Sequence, residues 1–343
     1  MISPESAQAA LDAIGEARSS GRPIWIRGSG THRFVDGEST ILSTAALDTI
    51  VEYRPDDLTI RVEPGLTLEA MHREIGSHRQ TAVLPESEGH RTVGGVVASA
   101  ASGYRRLKYG PTRDRVLGVT IATGYGELVK GGGQLVTNVT GYDLPRLATG
   151  SFGSLGIITE IILKLWPTPP SSATIEIEDA ATAYREAFKP LAVHETEAGA
   201  FAYLEGSEAA VREQVGRLGG PAEDGLRWPE PINEPVVVSV RVPPSAMGAA
   251  AALVKATGPS RWVAQHGVGR FDVGLTSLSA EQLASLRTDI AAARGVVTVE
   301  RHPMLDGLDR WGVVPQGIEI QRRLKRLFDP DRVCNPGVLP GGL

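Results

Sequence analysis

Between Leu84 and Trp166 the sequence alternates apolar runs of strand or helix length with bare glycine turns: LPESEGHRTVGG, YGPTRDRVLG, VKGGG and GYDLPRLATGSFGSLGIITEIILKLWP. A flexible linker scatters its glycines among polar residues. Here each lies between segments that need a core, so each marks backbone that turns with φ > 0 or comes close to another group. Gly150, Gly153 and Gly156 recur at every third residue ahead of a β-branched run, and Gly94-Gly95 precedes the small residues Ala98, Ser99, Ala100 and Ala101. Small side chains let a helix start press against a ligand, and its first amides are expected to point outward as donors for an anion.

The other turn of this kind is Arg27-Gly28-Ser29-Gly30-Thr31-His32, which follows the short apolar run Pro23–Ile26. Its amides and hydroxyls suit a concave nest of donors for a pyrophosphate, with a plain β-turn as the competing reading. It lacks the third glycine and the following helix of a Rossmann fingerprint, and Gly131-Gly132-Gly133 lacks the Gly-Lys-Ser/Thr of a P-loop. Together with Gly141-Tyr142-Asp143 these turns form separated close-approach points, as a long extended cofactor such as FAD requires.

Elsewhere the chain excludes more than it selects. Its 343 residues suffice for two domains. The formal charge of −5, from 35 basic and 40 acidic side chains without long single-sign blocks, argues against a nucleic-acid or anionic-membrane surface. Arg322, Arg323, Lys325 and Arg326 are read as a solvated helix face. Cys334 is the one cysteine, which rules out an internal disulfide and suits a reducing compartment. No apolar run is long enough to span a bilayer, so a cytoplasmic protein is expected, peripheral to a membrane at most through a complex. The 7 histidines show neither helical pairing nor a local carboxylate cluster, so no metal is expected.

The periodicities predict a helix over Pro4–Ser19 capped by Ser3, strands over Thr49–Tyr53 and Leu58–Glu63, and a helix capped by Thr67. They continue with a hairpin in VLGVTIAT-GYG-ELVKGG, a short helix capped by Asp143 and a buried strand in IITEIILKLW. Three prolines in WPTPP stop regular structure, which places a domain boundary between residues 169 and 170. Beyond it strands and helices alternate in an α+β manner, ending in a helix over Gly317–Phe328. In QHGVGRF, His266 and Arg270 suit a base and a carboxylate clamp, or an ordinary strand edge. Arg105 and Tyr109 join them as catalytic candidates.

Over Pro23–Pro167 these motifs resemble the FAD-binding oxidoreductases of the PCMH, or vanillyl-alcohol oxidase, type. IWIRGSGTHR looks like that family's first pyrophosphate loop, RTVGGVVASAASG like its second, YGPTRDRVLGV like the segment that follows, GSFGSLGIITEIILKL like its closing signature, and FDPDRVCNPG like its tail. The resemblance implies a two-subdomain FAD-binding domain over residues 1–169 and a smaller α+β substrate or cap domain over 170–343. It carries cofactor contacts to Arg27, Gly28, Ser29, Gly30, Thr31 and His32; to Pro85, Thr92, Val93, Gly94, Gly95, Ser99, Gly103 and Asp114; and to Gly141, Tyr142, Asp143, Gly156, Ile157 and Ile158. Thr31 stands where covalent members have histidine, which implies non-covalent FAD.

Within that family the likeness is greatest to a flavin subunit of glycolate oxidase. It implies oxidation of a 2-hydroxy acid beside a second flavin subunit and an iron–sulfur subunit. An independent FAD-linked oxidase or dehydrogenase of another alcohol or sugar, and an electron-relay subunit that holds FAD without its own substrate, remain open alternatives.

Overall fold

The computed structural model describes residues 1–31, 40–86, 88–134, 142–303 and 308–343. His32 and Gly141 lie outside the described residues. The chain divides into two compact units, one of residues 1–103, 111–168 and 314–343, the other of 104–110 and 169–313. This departs from a linear division at residue 169 in two places: a short piece around Tyr104–Gly110 belongs with the second unit, and the last thirty residues return to the first.

The first unit opens with α1 (Ala7–Ser20), which begins later than its apolar spacing predicts. Ser6 caps it in place of Ser3, accepting a hydrogen bond from the Ala9 amide at 3.1 Å. β1 (Ile24–Arg27) and β2 (Thr40–Ser43) pair in parallel, while β3 (Ile50–Arg54) and β4 (Thr59–Val62) make the expected hairpin. Thr67 caps α2 (Leu68–Ser77), which buries Leu68, Met71 and Ile75 at helical spacing. After β5 (Gln80–Thr81) come α3 (Val93–Ala98) and α4 (Arg106–Tyr109), the latter in the second unit.

β6 (Val116–Thr123) and β7 (Leu128–Gly132) form an antiparallel hairpin, Asp143 caps α5 (Leu144–Ala148), and β8 (Gly156–Lys164) and β9 (Trp166–Pro167) follow. The five-stranded antiparallel sheet runs β3-β4-β8-β6-β7. β8, a strongly β-branched segment, pairs on both sides and supplies Ile158, Ile161 and Leu163 to the core it shares with α2 and α3.

In the second unit β10 (Ser171–Ile177), α6 (Ala180–Glu186), β11 (Ala192–Thr196), β12 (Gly199–Gly206), α7 (Glu208–Leu218), β13 (Ala222–Asp224) and β14 (Val236–Arg241) come first. α8 (Met247–Ala256), β15 (Arg261–Gln265), β16 (Arg270–Leu275), α9 (Ala280–Ala292) and β17 (Val296–Arg301) complete it. They build an eight-stranded sheet of order β13-β10-β12-β11-β15-β16-β14-β17, so this α+β unit has the alternation its sequence predicts. One sheet face packs Val236, Val238, Val240, Phe271 and Val273 against α8 and α9. Alternate residues turn to the opposite face.

α10 (Ile318–Phe328) then rejoins the first unit. Here the reading of four basic residues as one solvated face needs correction, because Lys325 is 4% exposed. Its ammonium donates to the Ser154 and Cys334 carbonyls at 2.6 and 2.8 Å and to the Asp329 carboxylate at 2.6 Å, so all three donors are satisfied inside the protein. Asp329 also accepts from the Val333 and Cys334 amides. Cys334 itself is fully buried beside Ile24 and Ile157, and burial pushes its thiol well above the ordinary range.

Candidate cofactor site

β1 delivers Arg27 into a turn in which Gly30 has φ +78°, and the space a β-carbon would need there is taken by the Arg27 guanidinium. The turn thus requires glycine at this position. Among the described residues the amides of Gly28, Ser29, Gly30 and Thr31 donate to no protein acceptor. Ser29 and Thr31 add hydroxyls 3.3 Å apart. Four consecutive amides without a protein acceptor suit an anion-binding concavity.

Across from it stands α3, whose contribution differs from the expectation. Its first amides do not point outward: Val93 donates to the Leu66 carbonyl and Gly94 to the Pro64 carbonyl, both at 2.8 Å, and Gly95 to the Thr92 hydroxyl at 3.2 Å. Thr92 is the cap, and the anion donors of the cleft lie in the Gly28–Thr31 turn. A β-carbon on Gly94 would meet Pro64 at 2.5 Å, so bareness there serves packing between loop and helix. On Gly95 its closest contact would be the Thr92 hydroxyl at 3.0 Å.

These elements wall a cleft that is open to solvent. The turn and α3 give it Arg27, Gly28, Ser29, Gly30, Thr31, Gly94, Gly95 and Ser99, and β8 gives Gly156 and Ile158, all of them expected from the sequence. Of the other expected residues, Val93 and Ile157 point into the core, and Tyr142 is 95% exposed. Asp143 caps α5 and pairs with Arg146, Asp114 pairs with Arg113, and Gly103 lies against the Glu86 carboxylate. Like Pro85 and Thr92, none of these six is part of the cleft wall.

Several wall residues were not anticipated, Arg91 and Asn335 among them. Arg91, nearly buried, is bonded to the Glu88 carboxylate and at 3.1 Å to the Ser99 hydroxyl, which donates in turn to the Gly95 carbonyl. Asn335 accepts from the Ile26 amide at 2.6 Å and donates to the Phe152 carbonyl at 2.6 Å, so one side chain ties the first turn to the glycine-repeat turn. Its position directly after the FDPDRVC run carried the signal. The four amides, the bare walls and the apolar patches at Ile26, Ala98, Phe152 and Ile158 fit a dinucleotide with an anionic centre and flat ends.

The catalytic candidates all fall in the second unit. Register places His194, Gln265, Arg270 and Arg241 side by side across β11, β15, β16 and β14, a polar row on the face away from α8 and α9. Arg270 donates from Nε and Nη2 to one Asp272 oxygen at 2.8 and 2.6 Å. Burial opposes its charge, but the Asp272 carboxylate overcomes that, so its pKa lies above the ordinary value. Tyr109 is bonded to the Glu205 carboxylate, and Arg105 stands at the start of α4. His266 lies in the turn after β15, outside the row, with Nε2 3.4 Å from Glu195.

His194 and Gln265 were missed. The His194 ring is fully buried among Tyr104, Tyr203 and Trp228, with both nitrogens unbonded among the described residues. Burial, reinforced by His266, lowers its pKa to about 3. Among the described residues no group of three or more His, Cys, Asp or Glu side chains is placed to hold a metal, and no helix is long and apolar enough to cross a membrane.

Residues 1–132 match the family model described as an FAD binding domain. Beyond it, the chain is 34% identical over 235 residues to glycolate oxidase subunit GlcE of Escherichia coli (strain K12), an alignment covering 64% of this chain and 67% of that one. The chain belongs to the FAD-binding, PCMH-type oxidoreductase family. FAD is therefore its cofactor, and it is an FAD-dependent oxidoreductase. Another relative, glycolate oxidase subunit GlcD of Bacillus subtilis (strain 168), is 38% identical over 158 residues, 45% of this chain and 34% of that one. The chain spans about a third of GlcD and 28% of the length of a D-2-hydroxyglutarate dehydrogenase from Xanthomonas citri that is 38% identical over 135 residues. A solved alkyldihydroxyacetonephosphate synthase superposes with TM-score 0.68 at 16% identity, covering 99% of this chain and 76% of that one, and thus shares the family's fold.

Proposed function

We propose that this chain oxidises a 2-hydroxy acid, glycolate or a close relative, with non-covalently bound FAD, as one subunit of a complex with a second flavin subunit and an iron–sulfur subunit. The observation that carries the reading is the likeness to the Escherichia coli glycolate oxidase subunit over two thirds of that protein's length. Relatives named for lactate and 2-hydroxyglutarate dehydrogenases support the same substrate class.

The Gly28–Thr31 amides hold the cofactor's diphosphate, with Arg27, Gly95, Ser99, Arg91, Gly156, Ile158 and Asn335 shaping the walls around it. Bound FAD supplies a two-electron acceptor for the CH–OH carbon of the substrate. On the second unit, Arg270, held by Asp272, suits a carboxylate clamp, and His266, in the turn after β15 beside Glu195, suits an acceptor for a hydroxyl proton. One observation favours a second reading, a relay subunit without its own substrate: Arg270, Tyr109 and His266 are each already engaged by a carboxylate of the same unit.

Anaerobic addition of glycolate or D-lactate to the FAD-loaded protein separates the readings. Loss of the yellow flavin absorbance in the purified complex is expected. Full flavin colour with every 2-hydroxy acid, with bleaching by another alcohol or a sugar, would sink the proposed substrate class.

A further inference from the structure

A surface helix normally turns its apolar arc to the core and its charges to water. α10 does the reverse along part of its circumference. Its buried residue is Lys325, whereas Ile320 and Leu327 are 65% and 71% exposed and Leu324 between them is half-buried. On a helix of about 3.6 residues per turn, these three aliphatic side chains fall within about 60° of one another. The helix cannot roll to bury them, because the Lys325 ammonium is held by Ser154, Asp329 and Cys334. The exposed stripe is therefore a fixed feature of the first unit.

The charges beside the stripe indicate what covers it. Arg323 borders it and Arg326 lies one step beyond, neither in an ion pair among the described residues, while Arg322 is paired with Glu319. The uncompensated Arg323 guanidinium beside an apolar stripe, with Arg326 further round the helix, complements an apolar groove edged with carboxylates. A second copy of this chain is disfavoured, since an isologous contact through this face sets Arg323 and Arg326 against the same residues of the other copy. A lipid surface is disfavoured because the stripe carries no tryptophan or phenylalanine to sit at the headgroup boundary.

We propose that Ile320, Leu324 and Leu327 on α10 form the face by which this chain seats in an acid-rimmed apolar groove of a partner subunit. The proposal rests on the reading of the chain as one subunit of an oxidase. The test is purification from the native source of the full chain carrying an affinity tag, as wild type and as Leu327→Glu, Ile320→Glu and Arg323→Glu. The readouts are the mass, iron and flavin content of the co-eluting complex, with the chain's own FAD content and melting temperature showing that each variant folds.

The wild type is expected to hold a flavin- or iron-containing partner in fixed stoichiometry. Leu327→Glu and Ile320→Glu should retain at least tenfold less, and Arg323→Glu should show an intermediate loss, with folding unchanged. A stoichiometric partner kept in full by folded Leu327→Glu and Ile320→Glu overturns the surface alone. No stoichiometric partner on the wild type overturns the subunit reading and the surface with it. A wild-type homodimer that Leu327→Glu makes monomeric, or wild-type binding to phosphatidylcholine–phosphatidylglycerol vesicles that Leu327→Glu abolishes, overturns the partner in favour of that occupant.

Discussion

His194 shows how a single buried side chain sets a pH response. Its ring is packed among three aromatic residues without a hydrogen bond among the described residues, and its pKa is lowered to about 3. An unfolded histidine titrates near 6.5, so between roughly pH 6.5 and 3 the unfolded chain binds a proton that the folded chain refuses. Stability associated with this residue is complete above the unfolded pKa and is lost as the pH falls, by up to about 1.4 kcal/mol per pH unit within that window. Denaturant titrations of the apo-protein at pH 7 and 5 should show this loss. His194→Phe, which keeps a ring in an aromatic pocket, should flatten it; an unchanged slope in the variant would assign the acid sensitivity elsewhere. Asn335 acts through geometry instead: it has φ 39°, a conformation asparagine tolerates better than most residues, and its amide side chain satisfies groups in two separate turns.

Among the elements, α3 separates what glycine does for folding from what it does for the ligand. Gly94 is bare because Pro64 fills the space beside it, and Gly95 because the cleft begins there. Gly94→Ala should therefore lower the melting temperature of the apo-protein, with a destabilisation of about 1–3 kcal/mol from overpacking. Gly95→Ala should leave apo stability within about 1 kcal/mol, since a flexible hydroxyl can give way, yet weaken FAD retention about tenfold or more. Melting curves with and without FAD test both, and equal behaviour of the two variants would refute the division. The GG pair was legible in the sequence as a close-approach point, but which glycine faced what was not, because Pro64 lies thirty residues away. Local patterns placed α2, the β6–β7 hairpin, β8 and the first turn. They failed where a distant partner decides: Lys325 looks like a surface cation until Ser154 and Cys334 are brought to it, and the α3 amides look free until Pro64 and Leu66 arrive.

At the scale of the whole molecule, the same distant partners join the chain's two ends to the cofactor site. The final segment runs beside β1, with Ile24 donating to Val333 and Asn335 to Ile24, while Lys325 grips the turn that holds Ser154. The proposed cofactor walls therefore come from the start, middle and end of the sequence, so ligand binding should be felt in the tail as well as in the glycine turns. A ligand bound only by the folded state adds RT ln(1 + [L]/Kd), about 2.7 kcal/mol at a hundredfold excess over Kd. Amides that exchange only when the whole unit opens should then slow by about a hundredfold. Hydrogen exchange with and without FAD should show this protection in peptides covering 24–31, 92–99 and 150–158, and to the same degree in 330–337, where among the described residues Asn335 is the one that lines the cleft. Protection confined to the glycine turns, with the tail exchanging at its apo rate, would mean that Asn335 and Lys325 decorate the fold instead of closing it. In that case the tail opens as a separate unit, and the exposed stripe on α10 would have to be explained by that motion and not by a partner.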